Sequence, residues 1–372
     1  MNNITVMSVA YNTIQGSKAI CEDSSHAIKI GNTFLLHLAD GHGGDIGKEC
    51  AEFCITTGQK QVESYPKDYY SWTEEQWKAC AVRDMDELHF SFRKKYEDLV
   101  YPGNTIPYRV DENGILWNGH SAVHGGSTYS RVLVFPIDTG FRTVVFQVGD
   151  SNVFVNGTCV SEDDSASSER HFTRIKETIP EHMRLVQVYD QSNQKYYKCL
   201  CPLIFTSDGI RDPTYTNDIW NKKHYFHASN AKFQVATYFV SQQQNYNIQT
   251  CITMGSSIGD YYAHPQGLTH HCTVKIIDTE TMPHIYMATD GSTDSLNKDN
   301  QWTSRKCGNI GGVNMTEFIS AYNITPIQPD IDMEIRNQRV CQMLIEHGVK
   351  VREISKELFG SLDDISEVIL LP

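Results

Sequence analysis

Residues 36–47 read LHLADGHGGDIG. The apolar run FLLHLA (34–39) stops at Asp40, and Gly41, His42, Gly43 and Gly44 follow at once. Such a run reads as a buried β-strand. Strand interiors disfavour Asp and Gly, whereas strand ends tolerate both. Two further runs finish the same way: TVVFQVGD at Asp150 and IYMATD at Asp290. Three such ends would set three carboxylates on one rim of a sheet. The plainer alternative is that Asp and Gly mark turns and nothing more.

Working outward, RVLVFPID and FRTVVFQVGD flank Asp138-Thr139-Gly140, a hairpin signal, and NVFVNG, HCTVKIID (271–278) and DISEVILL (364–371) also read as strands. Residues 46–63 carry mixed helical spacing. Over 73–99, Trp77, Ala81, Met85, Leu88 and Phe92 recur at steps of three or four, Thr73 with Gln76 predicts a capping-box start, and Pro102-Gly103 a stop. Two more helices are expected at 333–348 and 351–360, each closed by Gly. Residues 101–124 and 161–170 read as loops, and QQQN (242–245) as solvated helix or loop. Strands and helices come in blocks, without strict βαβ alternation. This predicts an α+β, layered, mainly antiparallel architecture in one domain spanning 1–372.

The chain has 372 residues, 40% hydrophobic and 21% charged, with a net charge of −13. That field argues against nucleic acid or an anionic membrane as partner. Its 11 cysteines lack zinc spacing, and no run approaches the about 18 apolar residues of a membrane span. The opening MNNITVMSVAYNT has neither a basic nor an apolar leader region. The expectation is a soluble cytoplasmic monomer with free thiols.

Hard divalent cations take oxygen ligands, and two of them side by side activate water and stabilise a displaced phosphate oxygen. Asp40-Gly41-His42-Gly43-Gly44 offers an acid, an open backbone carbonyl and an imidazole. Partner acids occur in a telling order: KAICED (18–23), ADGHGG (39–44), GGST (125–128), VGDS (148–151), SSIGD (256–260) with ATDGSTD (288–294), and DDIS (363–366). In these stretches, spanning nearly the whole chain, the sequence resembles the metal-dependent protein phosphatases, the protein phosphatase 2C family. The resemblance implies a four-layer αββα sandwich with two Mg²⁺ or Mn²⁺ ions at one end of its sheets. It implies that Asp40 bridges the ions, that the Gly41 carbonyl binds one, and that Asp290 and Asp363 complete the core. Glu22 and Asp23 would hold water on the metals. Asp150 and Asp290, with Asp294, would serve a weaker third ion. His42 would protonate the leaving serine or threonine oxygen of a phosphorylated protein substrate.

The departures from the family pattern are specific. Lys18 stands where an arginine usually faces substrate phosphate, and attracts it as a point charge without a bidentate fork. Asn152 and Ser256 replace two more arginines. Asp364 replaces an asparagine, which would either raise metal affinity or disturb a hydrogen bond. Asp208, in IFTSDGIRD, imitates a metal site but falls out of order. His270-His271 and His224/His227 read as structural, since nothing near them in sequence completes a ligand set. Insertions relative to the family are expected near 73–124 and 297–330. Two other functions stay open: a phosphatase-like scaffold without catalysis, suggested by the missing arginines, and a phosphomonoesterase acting on small molecules.

Overall fold

The computed structural model describes residues 8–44, 46–97, 108–119, 121–162, 164, 254–264, 268–292, 338, 340–349 and 363–371, and the backbone of strands Leu185–Asp190, Lys195–Leu200, Lys232–Ser241 and Gln244–Ile252. Two five-stranded sheets form its centre. The first runs, edge to edge, Ser8–Ile14, Ile365–Leu371, Ile285–Ala288, Asn152–Val155, Thr158–Cys159. The second runs Thr273–Thr279, Gly140–Val148, Tyr129–Ile137, Thr33–Ala39, Ser24–Ile30. Every ladder in both is antiparallel.

The strand alternation explains the layering. Phe34, Leu36 and Leu38 face inward with Val132, Val134 and Val145, and meet Val153, Ile285, Met287, Val368 and Leu370 of the first sheet. Leu35, Leu133, Phe135, Val144 and Phe146 face the other way, onto Val62, Tyr65, Trp77 and Ala81. Both faces of the central strands are therefore buried, which is why FLLHLA shows no polar alternation. The outer layer on that side is helix α1 (Gly47–Glu63) with helix α2 (Glu74–Glu97). On the opposite side, Val340, Met343 and Leu344 of a helix over 340–349 cover Ala10, Phe154, Tyr286 and Ile369. The expected αββα order is the order observed.

α2 begins with the predicted reciprocal cap: the Thr73 amide donates to Gln76 Oε1 at 2.8 Å, and the Gln76 amide to Thr73 Oγ1 at 3.3 Å. Gly348 does not close its helix, which runs on through Val349. It packs there instead, because a Cβ would stand 2.4 Å from Ile14 Cδ1.

Three readings are corrected. Residues 108–122 form a small sheet, Tyr108–Val110, Leu116–Asn118 and Ser121–Ala122, in place of a loop. Its strands are too short to show a period, and the turn around Asp111 dominates the sequence signal. Asp111 Oδ1 accepts from the amides of Asn113 and Ile115, and Oδ2 from Trp117 Nε1. The expected loop at 161–170 is irregular where it is described, although Ser161 and Asp164 are buried. Gln244 and Asn245 open a strand of a separate four-stranded sheet. Among the described cysteines Cys21, Cys50, Cys54, Cys80, Cys272 and Cys341 are free thiols, but Cys159 is disulfide-bonded, against the expectation that all are free. Asp208, Asp294, Pro102-Gly103, the 297–330 region and the helix expected at 351–360 lie outside the described residues. Among the described residues no helix is long and apolar enough to cross a membrane.

Candidate active site

The strand Thr33–Ala39 delivers Asp40 to the end of the second sheet. Its backbone is clamped from the neighbouring segment: the Asp40 amide donates to Thr128 Oγ1, and the Asp40 carbonyl accepts from the Thr128 amide at 2.9 Å and Ser127 Oγ at 3.1 Å. Gly41-His42 then pairs with Gly126-Ser127, which pairs with Ile258-Gly259. The glycines are explained by proximity. A Cβ on Gly41 would stand 2.3 Å from the Glu22 carbonyl oxygen, and one on Gly43 would stand 2.4 Å from Gly125 Cα.

The other acids come from both sheets. Asp150 follows Gly140–Val148, Asp290 follows Ile285–Ala288, and Asp363 precedes Ile365–Leu371. Glu22 and Asp23 precede Ser24–Ile30. They converge: burial pushes the Asp40 carboxyl well above its ordinary range, and the charges of Asp23, Asp290, Asp363 and Asp150 push it further. Burial, with Asp364 and Asp363, raises Asp23 to about 8, against a lowering hydrogen bond from Thr289 Oγ1. Asp363 is raised by burial and Asp290. So many carboxylates close together repel one another unless a cation joins them.

Lys18 lies at this cluster, its Nζ 3.1 Å from Glu22 Oε2, 3.4 Å from Asp363 Oδ1 and 3.9 Å from Asp364 Oδ2. Burial alone would lower its pKa, but Asp363, Asp40 and Glu22 together raise it well above the usual lysine value. Glu22 Oε1 also accepts from the Gly44 amide at 2.8 Å. Asp364 has a different task. Its Oδ1 accepts from the Gly16 amide at 2.7 Å and its Oδ2 from the Glu22 amide at 2.9 Å, so it anchors the segment that carries Lys18 and Glu22.

The donor set fits a hard divalent ion. It is all oxygen, and Asp23 Oδ1 and Asp290 Oδ1 are buried with no hydrogen-bond partner.

His42 brings in Asp260, the last residue of SSIGD, to which the sequence alone gives no role. Its Nε2 lies 2.6 Å from Oδ2 of the fully buried Asp260. Burial would lower the imidazole, but the Asp260 charge and hydrogen bond raise it above its ordinary value. Asp260 also accepts from Ser257 Oγ at 2.6 Å, and its amide donates to the Gly125 carbonyl at 2.9 Å. It sits at φ +45° after Gly259 at φ +84°, a double left-handed bend that turns the carboxylate back toward His42. The signal available was the apolar residue followed by Gly-Asp, as at Asp150. Ser256 accepts from the Gly149 amide at 2.8 Å and donates to Asp164.

No family model and no curated protein matches the chain. Solved structures do. A C. elegans sex determining protein matches at 15% identity and TM-score 0.55, covering 98% of this chain, which spans only 64% of that one. A Toxoplasma gondii serine-threonine phosphatase 2C matches at 12% identity and TM-score 0.49, covering 97% and 93% of the two chains. The PstP serine/threonine phosphatase catalytic domain, solved with two manganese ions, matches at 13% and 0.44, covering 98% and 97%. At these identities the likeness is one of fold.

Proposed function

We propose that this chain is a Mg²⁺- or Mn²⁺-dependent protein serine/threonine phosphatase, working as one catalytic domain. The observation that supports it most is the meeting of Asp23, Asp40, Asp150, Asp290 and Asp363 at one site, where Asp23 Oδ1 and Asp290 Oδ1 are buried without a hydrogen-bond partner. Asp40, the Gly41 carbonyl, Asp290 and Asp363 would hold two ions, with Glu22 and Asp23 acting through water. Asp150, with Asp294, would serve a weaker third. Bound there, such ions activate water and neutralise charge on phosphoryl oxygens.

The chain's own residues do the rest. Lys18 draws the phosphate dianion toward the cluster as a point charge. His42 supplies a proton. As the water oxygen bonds to phosphorus, the bond from phosphorus to the serine or threonine oxygen breaks, and that oxygen takes a proton from the His42 imidazolium, whose charge Asp260 stabilises. The products are inorganic phosphate and the free hydroxyl, with no cysteine and no covalent intermediate required.

The test is hydrolysis of a phosphothreonine peptide with Mn²⁺, Mg²⁺ or EDTA, beside Asp290→Asn. Turnover that needs metal and is lost in the folded variant is the expected result. Turnover indifferent to EDTA or to Asp290→Asn would sink the proposal. A folded protein inert under every metal would return the scaffold reading, and preference for small phosphomonoesters in competition would move the substrate class.

A further inference from the structure

We propose that His89, His264 and His270 form a second metal site, for a borderline transition-metal dication of the zinc type, which ties the segment bearing Asp260 to helix α2. The proposal stands apart from the phosphatase reading, because it concerns different residues and a different ligand chemistry.

The three histidines are distant in sequence, and folding gathers them. His89 belongs to the buried face of α2, whereas His264 and His270 sit just beyond the Ile258-Gly259 strand. One nitrogen from each comes within 4.8 Å of the others. His89 is only 3% exposed. The Nδ1 atoms of His89 and His270 are buried with no hydrogen-bond partner. Packing alone leaves such nitrogens dehydrated and unpaired.

The outer bonds prepare the rings as ligands. His270 Nε2 lies 2.8 Å from Asp86 Oδ1, and His264 Nε2 lies 3.0 Å from the Gly259 carbonyl oxygen. Both partners accept, so Nε2 carries the proton in each ring, and in His270 the unpartnered Nδ1 keeps its lone pair. Asp86 then plays the carboxylate that commonly backs a metal-bound histidine. Burial, aided by His264 and His270, holds His89 well below its ordinary value; burial with His270 pushes His264 down to about 3; burial lowers His270 despite Asp86. All three are therefore neutral at pH 7, the form that binds metal. Three imidazole nitrogens suit Zn²⁺ and its neighbours, and suit Mg²⁺ or Ca²⁺ poorly. His89 and His270 stack, with centroids 4.2 Å apart and planes 8° apart. A metal lies in the plane of its ligand ring, so closing on an ion turns one of these rings about its Cβ–Cγ bond.

His264 follows Asp260 by four residues. An ion at the three histidines would fix this segment from behind, without touching a substrate.

The full chain, stripped with a chelator and returned to excess Mg²⁺ so that the carboxylate cluster is filled, is titrated with Zn²⁺ against a competing chromophoric chelator. One equivalent is expected. His264→Gln and His270→Gln should each weaken it by about 100-fold or more, and Asp86→Ala by about 10- to 100-fold, whereas Asp290→Asn should not. Thermal melting in Mg²⁺ checks that each variant folds, and Zn²⁺ should raise the melting temperature of the parent but not of His270→Gln. The inference is overturned if no Zn²⁺ binds, if binding follows Asp290→Asn and not the histidines, or if it is lost in His271→Ala and kept in His264→Gln. The last result would place the ion in the outer trio of Asp86, His270 and His271.

Discussion

His42 and Asp260 stand 218 positions apart in the chain and 2.6 Å apart in space. No spacing rule joins them, and for that reason the sequence showed the imidazole and not its partner. Asp260→Asn keeps the size and one acceptor but removes the charge that raises His42. In the phosphopeptide assay it should lower kcat by about 10- to 100-fold, up to the lower end of what a general acid contributes, since the imidazole itself remains, while Mn²⁺ affinity stays unchanged. Equal loss of both would mean that Asp260 shapes the cluster and leaves the proton alone. Asp40, Asp150 and Asp290 were legible because each ends an apolar run, a local pattern. Asp364 was legible only as a departure; its two backbone donors lie 348 and 342 positions upstream. Gly41→Ala forces a Cβ against two backbone carbonyls, Glu22 at 2.3 Å and Gly47 at 2.7 Å. Neither can swing aside as a side chain would, so we expect the variant to lose metal binding by calorimetry even where it folds.

Among the elements, those with many residues and a period announced themselves. α2 carries five buried apolar positions at helical steps and a cap at Thr73, and it begins at Glu74 as read. Thr73→Ala removes one side of that cap and should cost about 1 kcal/mol in urea unfolding, with no change in metal affinity. A loss near zero would mean that packing of Trp77 and Ala81 alone sets the helix start. The strands of 108–122, two or three residues each, were hidden because so few positions cannot display alternation. The antiparallel layering was legible from the block order of strands and helices. Which strand neighbours which was not, since the first sheet joins the segment beginning at Ser8 to the one ending at Leu371.

Across the whole molecule, one buried ion pair bolts the helical layer to the second sheet. Arg131, from strand Tyr129–Ile137, reaches Asp84 Oδ2 of α2 at 2.6 Å, Tyr65 Oη at 3.0 Å and Gln61 Oε1 of α1 at 3.1 Å, and none of the Arg131 or Asp84 side chain is exposed. Asp84→Asn leaves a buried guanidinium without its counter-charge and should cost about 3–5 kcal/mol, read by chemical denaturation. Burial alone would raise Asp84, but Arg131, Tyr65 and Arg83 hold it below its ordinary 3.8. The pair therefore adds stability above that pH, and the contribution fades as pH falls through the lower folded value. Parent protein should lose stability more steeply than Asp84→Asn below pH 4; parallel curves would show that other carboxylates govern the acid limb.

The acids of the cluster enter from strands of both sheets, so any ion held there rivets the sandwich at one end only. Amide deuterium uptake should report this asymmetry: withdrawing the metal ought to loosen the rim around Asp40 and Asp290 first, while the hairpin at Asp138 and Gly140 keeps its pace.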